Sequence, residues 1–452
     1  MTNSRKRAAS AALMVAAVAS AACSDFLAVD NPGSVPSRDL VDSTYANLLV
    51  NGAVGEFQGM IGNTALYGGV LSDELQALHA NTSYGPIDLR DFNNLNDIVA
   101  LIYSPIQRSR FDADTVADRL KGYPGASSST DLRVARMLAL GGYSYITLGE
   151  TFCSAPVNGG AARTPAELFA MALPRFDEAI QVATAARAAG VGSAATADSI
   201  LNLARVGAAR AALDLNDMQR ALGYAQEVPA NFRFVSYYSE GIPPQPGVPV
   251  NPFWNATGSP ELARTGYNSN VSGGYNYSNS SAWIAVEPSF AELGDPRVPT
   301  TPTKVKLMRS GSLAYIPNKP SSFGGHISPS AEQPGGAAIT PGASIRFASG
   351  LEAQYIVAEA QGGSPQTRTF VDAQRTANGL GPSTAGTAAE LLADLREQKR
   401  REFYLDGHRL GELRRYLEFY GVDMFTTGAG YGTVTCFPIP LSELNSNPQA
   451  GG

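Results

Sequence analysis

The chain has 452 residues, 44% of them hydrophobic and 16% charged, with a formal net charge of −6. That length is enough to bury a large core, and the acidic balance excludes the clustered basic footprint of a nucleic-acid-binding protein. With 46 glycines and 29 prolines the chain is rich in loops yet stays outside the composition of disordered sequences.

Arg5, Lys6 and Arg7 precede an apolar run from Ala8 to Ala22, which predicts a secretory signal peptide over residues 1–22, too short to stay as a membrane-spanning helix. Cys23 follows Ser20, Ala21 and Ala22 and resembles a bacterial lipoprotein cleavage site, in which the cysteine becomes the lipidated N-terminus. Ser20 stands where Leu is common, and the other outcome is ordinary cleavage that leaves a free thiol. Several acyl chains on Cys23 would hold the chain at a membrane surface, where one chain alone binds marginally. Residues 23–38, polar and turn-forming with a few apolar anchors, predict a lipid-anchored tether.

From residue 39 to 452 one α-rich domain is expected. Helices are predicted over 40–60, over 71–80 with Ser72 as N-cap, and over 98–120. The turn-rich segment between the last two, carrying Tyr84, Phe92 and Asn93, reads as a loop. A helix over 132–152 contains Gly141 and Gly142, each weakening it by roughly 1 kcal/mol relative to Ala, which points to a close neighbouring backbone. Thr164, Pro165 and Glu167 form a capping box that opens a helix to about Ala189. Residues 198–214 and 217–228 predict an antiparallel pair, with Ala204, Ala208, Ala211 and Ala212 small enough for close approach. Alternating helices of this kind resemble tetratricopeptide repeats of degenerate period; a plain helical bundle would predict the same helix count.

Between residues 237 and 290 helical periodicity vanishes, and Pro, Gly, Asn, Ser and aromatic residues take over. A short hairpin over 305–316 and a Gly/Pro/Ser loop to 341 follow, then a helix over 344–360. The dense charges of Leu395 to Tyr416 come next, with Gly407 as a bend between two helices and Leu410, Leu413, Leu417 and Tyr420 as an apolar stripe. Glu402, Asp406, Arg409, Glu412 and Arg415 sit at helical spacings that allow mutual ion pairs, the makings of a structural clasp. The bland reading of the same residues is a solvated charged face. The expected fold class is therefore mostly α, a tetratricopeptide-like scaffold with long irregular loops near 237–342 and a few short β-hairpins.

Setting Cys23 aside, Cys153 and Cys436 remain, an even pair in an exported chain that reads as a disulfide or as two buried thiols. Two cysteines and three scattered histidines show no metal-ligand spacing, so neither a metal nor a cofactor is expected. No nucleophile elbow, zincin motif or phosphate-binding glycine run is present, and Asp73 beside Glu74 is no sign of a glycosidase in a chain with 40 carboxylates. Catalysis is not expected. Sugar rings have apolar faces and polar edges, so a site for them needs flat aromatics with amides and hydroxyls around them. Trp254, Tyr267, Tyr275, Tyr277 and Trp283 are interleaved with asparagines in one stretch, and Tyr84 with Asn93 is placed to face it. Each aromatic taken singly is also an ordinary residue of a loop core.

Several of these stretches together carry a family resemblance. Leu395, Glu402, Phe403, Asp406, Gly407, Arg409, Glu412, Leu413 and Arg415 match the C-terminal signature of the SusD/RagB family of outer-membrane nutrient-binding lipoproteins, with Gln398-Lys399 where that family has Glu-Arg. The helices containing Tyr103 and Ile106, 132–152 with Ala155-Pro156, and 344–360 resemble further family helices, and Cys436 to Pro440 with Glu443 and Asn447-Pro448 resembles its ending. The resemblance implies a cell-surface lipoprotein, anchored in the outer membrane through its N-terminal lipid, that captures glycans and passes them to a TonB-dependent SusC-like transporter. Peptide uptake within the same family, a protein-binding helical scaffold and a secreted glycan hydrolase are the alternatives.

Overall fold

The computed structural model describes residues 39–77, 82–239, 251–253, 284–307, 312–318, 323–324, 339–428 and 430–451. Residues up to Ala46 form a unit of their own, in which two single turns, Asp39–Val41 and Ser43–Tyr45, are linked by Asp42, whose carboxylate accepts from the Thr44 amide at 2.8 Å.

The first long helix, α1, runs Ala46–Leu71, later and longer than the sequence suggests. The expected helix over 71–80 does not form. Asp73 takes a left-handed φ of 60°, and Leu75–Ala77 becomes strand β1. Tertiary pairing overrides local propensity here: Leu75, Gln76 and Ala77 lie opposite Val286, Ala285 and Ile284, and the Gln76 amide adds a bond to the Val286 carbonyl at 3.0 Å. Ser72 is buried and caps nothing. A short helix α2 (Tyr84–Asp88) follows, and then α3 (Asp97–Gly122), whose start is capped by Asn96 accepting from the Ile98 amide.

Four helices come next: α4 (Leu132–Thr151), α5 (Pro165–Ala189), α6 (Ala194–Asp214) and α7 (Met218–Ala225). Each packs on its predecessor, with α3 against α4 at the head of the series. The Thr164–Glu167 capping box is fully formed, and Gly190, left-handed at φ 67°, closes α5. Side chains rather than a neighbouring backbone crowd the glycines of α4: an added Cβ on Gly141 would meet Asp114 Oδ1 at 3.0 Å. A Cβ on Gly142 would come within 2.7 Å of the Phe176 ring and one on Gly207 within 2.3 Å, so Phe176 of α5 is wedged between two helices that only Gly lets approach. Tyr143 stands edge-on to Phe176 at 5.2 Å and to Phe347 at 4.6 Å, and Phe57 of α1 completes the row.

Strands are short. Ala155–Pro156 (β2) pairs with Ala162–Arg163 (β3), and Thr300–Lys306 (β6) pairs with Leu313–Pro317 (β7), both as hairpins. Arg233–Ser236 (β4) and Phe323–Gly324 (β8) flank Ser344–Ser349 (β9), while Ile284–Val286 (β5) joins β1. The predicted helix over 344–360 thus begins as strand, over its first six residues. Every residue of β9 is buried, leaving no alternation to betray it, and Ser349 then caps helix α9 (Gly350–Ala360), with α8 the single turn Pro288–Ala291 before it. Helices α10 (Pro365–Ala377), α11 (Ala388–Glu402), α12 (Arg409–Tyr420) and α13 (Leu441–Ser446) end the chain. Of the apolar stripe on α12, Leu410 and Leu413 are buried, whereas Leu417 and Tyr420 are exposed past the point where the helix leaves the core.

Cys153 and Cys436 form a disulfide, with Cα atoms 5.1 Å apart. Its flanks are stitched by backbone: the Cys153 amide donates to the Phe437 carbonyl, and the Phe437 amide to the Thr151 carbonyl, each at 2.9 Å. The C-terminal segment is thereby fixed to the end of α4.

Candidate functional site

Of the aromatic and amide residues expected to bind ligand, Tyr84 and Asn93 lie among the described residues; Trp254, Tyr267, Tyr275, Tyr277 and Trp283, like the lipidation candidate Cys23, lie outside them. Tyr84 and Asn93 share one loop. Asn96 closes it by donating to the Ser83 carbonyl at 2.9 Å while its other amide atom caps α3. Tyr84 opens α2 half-buried, its ring 6.0 Å from that of Tyr67 on α1. Burial and the neighbouring Tyr67 phenol raise its hydroxyl pKa, so Tyr84 is a neutral phenol at any physiological pH. Asn93 is exposed, and its side-chain oxygen accepts from the Leu95 amide at 2.9 Å.

The loop is held from below by Arg90, buried at a left-handed φ of 55°, whose guanidinium lies over the rings of Phe425 and Tyr431 and donates to the Thr426 carbonyl. Asp73 accepts from the Thr426 amide at 2.7 Å, and the Gly432 amide donates to the Leu89 carbonyl at 2.7 Å. Phe92 packs on Phe437, beside the disulfide. Tyr84 and Asn93 therefore ride on a rigid platform built from α1 and the C-terminal segment.

The five charged residues of the C-terminal signature are all buried, each less than 10% exposed. Their partners lie mostly on other elements rather than on each other, as the helical spacing had suggested. One alternating chain runs from Glu150 to Arg210 (2.6 Å), Glu352 (3.8 Å), His408 (3.2 Å), Asp406 (2.7 Å), Arg346 (3.5 Å) and Glu402 (3.0 Å). A second runs from Asp214 to Arg415 (2.8 Å), Glu359 (3.0 Å), Lys399 (3.2 Å) and Glu412 (3.0 Å). Together they tie α4, α6, β9, α9, α11 and α12. Arg409 differs: its Nε and Nη1 have no hydrogen-bond partner, and the guanidinium lies 5.8 Å from the Phe290 ring centre. Arg414 donates to the carbonyls of Gly149, Glu150 and Phe152, satisfying the open C-terminal end of α4.

Gly407, at φ 88°, makes the turn between α11 and α12, where an added Cβ would touch Ala65 of α1 at 3.4 Å. The cavity beside Asp214 and Arg415 measures about 20 Å³, room for one water rather than a sugar. Among the described residues no group of His, Cys, Asp and Glu is arranged to hold a metal, and no helix is long and apolar enough to cross a membrane.

No family model and no curated protein matches the chain. Solved structures do. A SusD superfamily protein from Bacteroides vulgatus ATCC 8482 superposes with a TM-score of 0.61 over 90% of this chain and 98% of its own at 14% identity. A laminarin-binding SusD-like protein gives 0.57 over 89% and 97% at 16% identity. Surface glycan-binding protein A from Bacteroides uniformis gives 0.61 over 90% and 98% at 14% identity. The chain has the SusD-like fold.

Within this SusD-like fold the partners of the clasp are what sequence reading missed: Glu150, Arg210, Asp214, Arg346, Glu352, Glu359, Lys399 and His408. A signal was present, since Glu150 and Arg210 each interrupt long apolar or Ala-rich helical runs. Asp73 and Glu74, unremarkable as a carboxylate pair, both turn out to be buried acceptors. Glu74 accepts from the Leu405 amide at 3.0 Å, at a non-glycine residue held at φ 61°. Burial, with Asp406 and Glu412 nearby, pushes the Glu74 pKa up to about 8. Burial and Glu150 push Asp214 to about 8 as well. For His408, burial opposes the imidazolium, yet Asp406 and Glu352 override it and lift the pKa to about 9. Glu359 goes the other way: despite burial, Arg415 and Lys399 hold it at about 2.

Two outcomes follow from this network. Arg415→Ala leaves Asp214 buried without its paired cation and Glu359 with Lys399 alone, and lowers the unfolding free energy by about 3–5 kcal/mol, whereas Arg409→Ala, which breaks no close pair among the described residues, lowers it by about 1–2 kcal/mol of lost packing; urea unfolding of both variants measures this, and equal losses would contradict the pairing scheme. The raised groups bind more protons folded than unfolded, so the stability they contribute is present below their unfolded pKa values and is lost as pH rises through about 8 to 9. Glu359 contributes stability above its unfolded pKa that is lost as pH falls toward about 2. Unfolding free energy is therefore highest near about pH 4 to 4.5 and falls from there to about pH 9, through Glu74 and Asp214 up to about pH 8 and through His408 between about pH 6.5 and 9, by roughly 1.4 kcal/mol per pH unit for each proton released. His408→Gln makes that fall shallower; a midpoint flat or rising over the same window would contradict the assignment.

Proposed function

We propose that this protein is a glycan-binding lipoprotein of the bacterial cell surface, which captures oligosaccharides and hands them to a TonB-dependent SusC-like transporter in the outer membrane. The observation that carries this reading is the near-complete superposition on SusD-like proteins, two of them named for the glycans they bind. Sequence features agree with it: the lipoprotein-like Cys23, the aromatic and asparagine-rich stretch, and the ordered C-terminal motifs.

The chemistry is adsorption without bond cleavage. Trp254, Tyr267, Tyr275, Tyr277 and Trp283 supply flat faces for sugar rings, and Tyr84 with Asn93 presents a neutral phenol and an amide from a rigid loop. A glycan needs no buried charge to be held, which fits a ligand site built apart from the ion chains. Lipid on Cys23 keeps the protein at the membrane surface beside its transporter.

Titration calorimetry with neutral oligosaccharides, laminari-oligosaccharides among them, tests the reading. Trp254→Ala and Trp283→Ala are expected to weaken binding at least about fivefold each, the scale of one lost aromatic stack, with unfolding midpoints unchanged. Sustained product release from the oligosaccharides, or full affinity in both variants, would overturn it.

A further inference from the structure

A second concave site lies elsewhere on the molecule. A cavity of about 250 Å³ opens between α1, α4, α6 and β4, with Phe57 and Leu140 as apolar walls, Gln58, Ser199 and Tyr237 as polar ones, and Arg136 and Arg233 as its charges. Among the described residues no Asp or Glu lines it. Other arginines of this helical series are matched by carboxylates: Arg175 by Asp114 at 2.7 Å, Arg210 by Glu150 at 2.6 Å, Arg133 by Asp131 at 2.8 Å. Arg136 is the exception, half-buried and without a hydrogen-bond or ion-pair partner among the described residues. Burial alone acts on it, lowering its pKa, and nothing opposes that effect. A desolvated guanidinium with no counter-charge is a standing penalty for the fold unless something else supplies the anion.

We propose that this cavity is a second binding pocket, separate from the aromatic stretch, which takes a sugar carrying a carboxylate, a single uronic acid residue with its carboxylate on Arg136. The planar fork of Arg matches a carboxylate with two parallel hydrogen bonds. Gln58, Ser199 and Tyr237 offer the amide and hydroxyl groups that ring hydroxyls need, and Phe57 with Leu140 faces the apolar side of a ring. The volume lies below that of a drug-sized pocket, in keeping with one ring rather than a chain. None of these residues belongs to the glycan site proposed above, so either reading can fail while the other stands.

The experiment is calorimetric titration of the full chain with D-glucuronate, D-glucose and N-acetylglycine, for the wild type, Arg136→Gln, Arg136→Lys and Ser199→Phe. Glucuronate is expected to bind, and to bind more weakly as salt is raised; glucose is expected not to bind. Arg136→Gln should lose at least tenfold in affinity for glucuronate while keeping its unfolding midpoint and its affinity for neutral oligosaccharides. Arg136→Lys should retain part of the binding. Should Arg136→Gln not fold, Ser199→Phe, which fills the cavity from the surface of α6, must abolish glucuronate binding by itself. Absence of glucuronate binding, equal binding of glucose, or an Arg136→Gln or Ser199→Phe variant with wild-type affinity overturns the pocket. N-acetylglycine binding as tightly as glucuronate overturns the assignment to a sugar.

Discussion

The structure depends on taking a dense set of charges out of water and matching them almost completely. Glu150, Arg210, Glu352, His408, Asp406, Arg346 and Glu402 alternate in sign along one chain, and Asp214, Arg415, Glu359, Lys399 and Glu412 along another. Desolvating any one of these groups alone is unfavourable by several kcal/mol, so the network tolerates no missing member. What it supplies is uniqueness of docking: α11 and α12 have one position on α4, α6 and α9 in which Glu402, Lys399, Glu412 and Arg415 all find opposite charges. His408 is part of this network, while Asp73 and Glu74 accept from the Thr426 and Leu405 amides.

Around that lock the rest of the fold is arranged by close contact. Phe176 seats α5 between Gly142 and Gly207, Arg414 closes the open end of α4, and the disulfide at Cys153 holds the returning C-terminal segment to the same helix end. The loop carrying Tyr84 and Asn93 then rests on Arg90, Phe425 and Tyr431. Rigidity thus reaches that loop through packed aromatic and backbone contacts, while the cavity beside Asp214 and Arg415 has room for a single water.

Most helices were legible because their boundaries are chemical: Thr164 with Glu167, Asn96 before Asp97, and Gly190 after Ala189 each leave a mark in the sequence. The misreadings share a cause. Residues 75–77 and 344–349 lie in stretches of helical composition, and their conformation is set by strands hundreds of residues away or on both sides, information no local window contains. The same holds for the clasp. Helical spacing pairs Glu402, Asp406, Arg409, Glu412 and Arg415 with each other, whereas burial turns four of them toward Arg346, Lys399, Glu359, Asp214 or His408 and leaves Arg409 near the Phe290 ring. Arg136 was invisible at that level: Arg133, three residues earlier, is paired by Asp131 close to it in sequence, whereas the surroundings of Arg136 are set by α1, α6 and β4 packed against it.

Under the proposed function labour is divided, with charge buried for architecture and uncharged aromatic and amide groups left for the ligand. Amide hydrogen exchange with and without a saturating neutral oligosaccharide tests it most directly. The account predicts ligand-dependent slowing in residues 83–96 and 254–283, with 395–416 the slowest-exchanging stretch of the chain in both states and unchanged between them. Ligand-dependent slowing concentrated in 395–416 would contradict it.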